Sequence, residues 1–285
     1  SVQEQVSFQA DDPLIQGGDH DHSNASQHMF STDNMELLDF NPLTTTGNAE
    51  VQVATTPDGE TYAYLAGWND MHIVNVTDPT NTTVTGVYND PNTQVLDVKY
   101  LEAFGREYII QQNQLVDPGN ADPNVGEWND PAQVTVTLID VTDKTNPTWV
   151  DSWYDADHPT GPHNLYTHMI DGEWYMFVAN PDYDNCNDAI GEACGGVTIA
   201  HLNLVGSAAR NLPGVPASGL GHTIVKVGEY EVSWETTMGG WIYIHDMTVQ
   251  TWPGEDANDP RYGRTFVYGS YCLLYTSDAA DERLS

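Results

Sequence analysis

Apolar residues in this chain recur in short alternating bursts, with no helical period. Thr61-Tyr-Ala-Tyr-Leu-Ala66, Met71-His-Ile-Val-Asn75 and Thr83-Val-Thr-Gly-Val-Tyr88 form one group, each β-branched or aromatic and bounded by Gly, Asn, Asp or Pro. That is how strands and turns read. A second group runs Glu107–Gln112, Val134–Asp143 and Asn146–Tyr154, and a third Glu173–Ala179 and Gly196–Asn203. A further short segment precedes each group: Glu50–Val53, Val95–Lys99, His163–His168 and His245–Val249. Four strands per unit is the content of one propeller blade. The expected fold is therefore all-β, a β-propeller of about four four-stranded blades, left open as part of a larger ring. Residues 113–131, 180–195 and 204–221 read as loop insertions, residues 1–45 as a polar N-terminal arm, and 46–271 as blades. The third unit departs from the others, with Ala200-His-Leu-Asn203 where the second has Asp140-Val-Thr-Asp143.

Charge changes the picture next. Forty-two Asp and Glu face 8 Lys and Arg, a net of -34, and only Lys99, Lys144 and Lys226 are lysines. The acids are scattered as on a solvated surface. Their mutual repulsion opposes compaction in dilute buffer and is screened within about 3 Å at 1 M salt. The composition therefore points to a protein that works in brine. It also excludes nucleic acid as a partner, since no basic stripe exists to neutralise phosphates. Hydrophobic residues at 39% suffice for a core, and no 18-residue apolar run predicts a transmembrane segment.

The repeats carry a resemblance. "HIVNVTDPTN" and "TLIDVTDKTNP" resemble the LVIVD repeat of bacterial and archaeal surface propellers, and "GGDHDHSNASQHMF", "LDFNPL" and "HDMTVQ" resemble its haloarchaeal branch. The resemblance spans residues 20 through 271 and implies an extracellular or cell-surface location, with further blades downstream. The stretch from Cys272 to Glu282 is similar to a translated sequencing adapter, so residues 272–285 are expected to be non-native and the genuine sequence to stop at Tyr271, partway through a blade.

Candidate chemistry lies in the histidines. Asp19, His20, Asp21, His22 and His28 cluster in the arm, while His163, His168, His245 and Asp246, with Asp97 and Glu50, fall on the segments expected to line the channel. Imidazole and carboxylate converging there, at His163 and His245 above all, would suit Zn²⁺ or another divalent ion. A histidine at a strand start can equally well hydrogen-bond a neighbouring blade. Asp182, Asp184, Asn185, Asn187 and Asp188 offer oxygen ligands for Ca²⁺ but lack an EF-hand's Gly and terminal Glu. Cys186 and Cys194 could close a disulfide loop in an oxidising compartment, and Asn24, Asn75 and Asn81 stand in glycosylation sequons. No G-x-S-x-G elbow, phosphate loop or H-E-x-x-H motif occurs. The expected function is non-catalytic recognition of a protein, glycan or small-molecule ligand at the surface of a halophilic archaeon. The alternatives are a metal-dependent enzyme with a histidine-lined channel, distantly like the selenium-binding, thiol-oxidising propellers, and a purely structural cell-envelope component.

Overall fold

In the computed structural model the described residues are 37–43, 47–114, 136–155, 162–181, 195–204, 224–231, 244–254 and 256–271. The arm cluster at 19–28, the Asn24 sequon, Cys186 and Cys194, the acidic loop at 182–188 and the segment 272–285 lie outside them. Twelve strands are present among the described residues: β1 (Asn48–Thr55), β2 (Thr61–Asn75), β3 (Thr83–Ala103), β4 (Arg106–Gln114), β5 (Val136–Asp140), β6 (Thr148–Trp153), β7 (Asn164–Ile170), β8 (Glu173–Pro181), β9 (Gly195–Leu202), β10 (Ile224–Glu231), β11 (Ile244–Thr251) and β12 (Thr265–Tyr271). All pairings are antiparallel between sequence neighbours, in the orders β1-β2-β3-β4-β5-β6, β10-β9-β8-β7 and β11-β12.

The first of these sheets is two blades. A strand of 15 residues drawn straight would reach about 50 Å, yet the Val76 amide donates to Thr61 O at 2.9 Å. β2 therefore folds back on itself at Trp68-Asn69-Asp70, where Asn69 takes a φ of 68°. β3 likewise serves twice: its first half pairs with β2, and 94–103 pairs with β4. Blade 1 is thus β1, both halves of β2 and the start of β3. Blade 2 is the rest of β3 with β4–β6, blade 3 is β7–β10, and β11–β12 begin a fourth.

The core confirms this division, because each apolar cluster lies between successive sheets. Tyr64, Met71 and Ile73 of blade 1 pack on Val98, Ile109 and Ile139 of blade 2. The other face of blade 2, with Tyr108, Ile110 and Leu138, packs on Leu165, Met176 and Leu202 of blade 3. Phe177, Ala179 and Val197 then meet Ile244, Met247 and Val249. The first strands of the blades, β1, β3, β7 and β11, touch one another in that order. Face-to-face sheets with their first strands gathered along one edge are the propeller arrangement. The described blades form an arc that is not closed. No helix among the described residues is long and apolar enough to cross a membrane.

The repeat motif explains its own turns. In blade 1 the Thr77 amide donates to Asn75 Oδ1 at 2.9 Å, and Thr80 donates through its amide and hydroxyl to Asp78 Oδ1 at 2.9 and 2.7 Å. Blade 2 repeats these bonds with Thr142 on Asp140 (3.0 Å) and Thr145 on Asp143 (3.0 and 2.7 Å). The first Thr of each motif also accepts from the strand beside it, Thr77 from the Thr61 amide at 2.8 Å and Thr142 from the Glu107 amide at 3.0 Å. Asn/Asp-x-Thr-Asp-x-Thr is therefore a chain of side-chain-to-backbone bonds. The hydroxyls hold the Asp78 and Asp143 carboxyls below the usual range. Asn75 is engaged here and donates to Glu60 Oε2 at 3.1 Å, whereas the Asn81 side chain is exposed.

One glycine marks how tightly blades meet. A Cβ on Gly86 of blade 1 would stand 2.0 Å from the Lys144 carbonyl oxygen of blade 2, so only a residue without one fits.

Candidate axial binding site

Three of the four first strands carry a bulge beside a polar side chain. β3 bulges between Val95 and Asp97, β11 between Ile244 and Asp246, and β1 between Asn48 and Val51. The hairpins after β3 and β7 close through two-residue turns, Phe104-Gly105 and Asp171-Gly172, all four residues with positive φ, as the strand twist favours. Counting back from these turns puts Asp97 and Asn164 in equivalent positions. Asp246 follows its bulge as Asp97 does, and Glu50 precedes Val51 at the corresponding bulge of β1. Bulges near a site re-aim side chains in this way.

Two of these groups, Glu50 and Asp97, meet across blades through Lys99. Lys99 Nζ donates to Glu50 Oε1 at 2.6 Å and to Asp97 Oδ1 at 2.5 Å. Asp97 is fully buried, and its Oδ2 accepts from the Leu165 amide of blade 3 at 2.8 Å. This one carboxylate, with its lysine, ties blades 1, 2 and 3 together. Burial pushes the Asp97 carboxyl up to about 7 against the pull of Lys99, and Glu50 adds to the rise. Burial alone would lower Lys99, but the two carboxylates outweigh it and its pKa is raised.

A depression of about 470 Å³ opens above this cluster. Glu50 and Gln52 enter it from β1, Lys99 and Tyr100 from β3, Tyr166 and Thr167 from β7, Trp174 from β8, and Asp246 and Met247 from β11. Several of these side chains are fixed by other contacts. Tyr100 stacks on Tyr64 with centroids 5.4 Å apart, and its hydroxyl shares its one proton between Glu102 Oε1 and Glu107 Oε2, each at 2.9 Å. Trp174 Nε1 donates to Glu102 O at 3.1 Å.

Of the residues expected at the channel, Glu50, Lys99-bound Asp97 and Asp246 thus lie in or directly beneath the depression. His163 and His245 instead pair edge to face, 4.6 Å between centroids. Burial, then His245, lowers His163 to about 4, which keeps it neutral. His168 sits farther along β7 in the seam with blade 4, its Nε2 2.9 Å from Thr251 Oγ1. Among the described residues no three His, Cys, Asp or Glu side chains gather as a metal ion would require. The aromatic lining was missed from sequence: Tyr100, Tyr166 and Trp174 read there as ordinary strand residues, and only the two-residue turn signals near them hinted at their placement.

With this geometry in place, the LVIVD repeat family model matches residues 59–90. The matched stretch lies in blade 1. The match covers all of β2, its turns and the start of β3, so the repeat unit corresponds to the second to fourth strands of a blade. No curated protein matches the chain. Among solved structures the chain is similar to a variant exo-β-1,3-galactanase from Phanerochaete chrysosporium with β-1,3-galactotriose, at 8% identity and a TM-score of 0.37. That match covers 65% of this chain and 35% of the other. It is also similar to a GH32 β-fructofuranosidase from Bombyx mori, at 14% identity and a TM-score of 0.39, over 62% of this chain and 39% of the other. The chain spans little more than a third of these solved structures' length.

Proposed function

We propose that this LVIVD-repeat chain is a non-catalytic recognition propeller that works outside the cell in concentrated salt and binds its ligand in the axial depression. The observation that carries the reading is the depression itself, to which the first strands of four successive blades each contribute polar side chains. A concave site with a few convergent polar groups among aromatics is the usual form of a ligand pocket. Salt adaptation is supported by the net charge of -34 and by where the three lysines stand. Lys99 pairs with Glu50 and Asp97, Lys144 with Glu107 at 2.7 Å, and Lys226 with Asp155 at 3.2 Å and Glu229 at 2.6 Å. Lysine is kept where it neutralises a carboxylate, and the remaining surface is left acidic.

The test is a ligand screen by saturation-transfer NMR on the whole protein in about 3 M KCl, conditions that screen its self-repulsion. A ligand that binds the native protein, is recovered unchanged, and is lost in Glu50→Ala and Asp246→Ala supports recognition at the axis. Binding unaffected by either substitution would place recognition elsewhere. A metal-dependent enzyme is the second reading, favoured by the edge-to-face approach of His163 and His245, 4.6 Å between centroids. Stoichiometric metal in the purified protein, lost in His245→Ala, would support it; a metal-free protein with intact ligand binding would remove it. A purely structural envelope component predicts no soluble ligand in the same screen.

A further inference from the structure

We infer that the axial depression takes a neutral saccharide, one or two sugar rings inserted between Trp174, Tyr166 and the Glu50–Lys99 pair. The inference rests on the depression being a recognition site in high salt, and it follows from what the lining can and cannot bind there.

Anions are the poorest fit. Lys99 is the single cation in the lining among the described residues, and it already donates to two carboxylates, at 2.6 and 2.5 Å. A phosphate or carboxylate would have to displace Glu50 and approach Asp246 in a protein of net charge -34. A cation fares little better. The same ammonium stands at the carboxylate it would need, and at 1 M salt charges are screened beyond about 3 Å. Attraction between ligand and pocket must then come from contacts that salt leaves intact, namely hydrogen bonds and apolar faces.

The lining is built for both. Glu50 and Asp246 accept, Lys99 donates, and Gln52 and Thr167 do either, which suits hydroxyl groups, each a donor and an acceptor at once. Tyr100, Tyr166 and Trp174 supply aromatic surface for the C–H faces of a sugar ring. Two of the three are held before any ligand arrives, Tyr100 by its stack on Tyr64 and its shared hydroxyl bond, Trp174 by its bond to Glu102 O. Side chains ordered in advance lose little freedom on binding, which favours a ligand whose own interactions are individually weak. The volume of about 470 Å³ admits a mono- or disaccharide unit.

The test titrates the whole protein, in about 1 M and about 4 M KCl, with neutral trisaccharides of glucose, galactose and mannose, and in parallel with putrescine and inorganic phosphate. Calorimetry and tryptophan fluorescence are read together. The expected result is binding of at least one trisaccharide with nearly the same affinity at both salt concentrations, weakened about tenfold by Trp174→Ala. Because Trp174 also packs against the core, Gln52→Ala and Asp246→Asn at the half-buried and exposed rim give the same readout without touching packing. Binding of putrescine or phosphate alone, falling with salt, would overturn the saccharide assignment and leave recognition at the axis standing. Trisaccharide binding indifferent to all three substitutions would overturn it by locating the sugar elsewhere, and absence of binding by any probe would overturn it outright.

Discussion

The seam between blades 1 and 2 and the seam between blades 3 and 4 join the same kind of sheet by different chemistry. The first is charged: Lys144 reaches Glu107 at 2.7 Å and lies 5.1 Å from the Tyr62 ring centroid of blade 1, while Lys99 crosses to Glu50. Lys144 and Glu107 are both buried. The second seam is built from imidazoles and apolar groups, with His163 against His245 and His168 on Thr251 beside a small apolar cluster. Propeller packing therefore does not prescribe how polar groups at a seam are satisfied; it requires only that they are. The two solutions should answer differently to mutation, pH and salt.

The largest effect is expected at the charged seam. Lys144→Ala leaves Glu107 buried without its cation, and breaking such a pair costs about 3–5 kcal/mol. Thermal or denaturant unfolding in molar salt checks this, and a cost near zero would mean the pair is solvated. Lys144→Met tests the same site differently, since an apolar replacement that also leaves Glu107 unpaired should recover packing but not stability.

The pH response of the seams should have opposite signs. His163 is held near 4 in the folded state, below the ordinary 6.5 of the unfolded chain. As pH falls from about 6.5 toward 4 the unfolded chain takes up a proton that the folded one refuses, so stability falls across that window. Asp97 is raised to about 7 from 3.8. The folded state keeps its proton as pH rises from 3.8 to 7, while the unfolded chain has lost it, so stability falls in the opposite direction. The two windows overlap almost entirely, so the contributions oppose each other and largely cancel between about 4 and 6.5. His163→Gln should remove that cancellation and leave stability falling as pH rises from 3.8 to about 7, as pH-resolved denaturation would read. A smaller effect belongs to His168→Ala, which removes one hydrogen bond to Thr251 and should cost about 1 kcal/mol.

What could be read from sequence divides along similar physical lines. The turns were legible because their bonds are local: Asp78, Thr80, Asp143 and Thr145 serve residues two positions away, so their chemistry is written in consecutive letters. The first strands were legible for the same reason, since Asp97 and Asp246 stand beside apolar residues in matching order. β10 was not foreseen. Ile224–Glu231 lacks the motif, and its pairing with β9 shifts register at Gly228. The depression was half legible. Glu50, Asp97 and Asp246 were expected at the axis, but whether Lys99, Tyr100 or Tyr166 faces it depends on bulges at 95/97 and 244/246, and a single inserted residue exchanges the two faces of a strand. Trp174 enters from the second strand of blade 3, which no period in the sequence marks as axial.

The axial cluster is assembled across blades, and a double-mutant cycle on Glu50 and Lys99 measures that most directly. Glu50→Gln, Lys99→Met and the double variant, unfolded in low and in molar KCl, should give a coupling of about 1 kcal/mol that largely survives salt, because Lys99 is only 12% exposed at its side chain. Strictly additive effects at both salt concentrations would mean that β1 and β3 do not meet at the axis, and would contradict the site built on them.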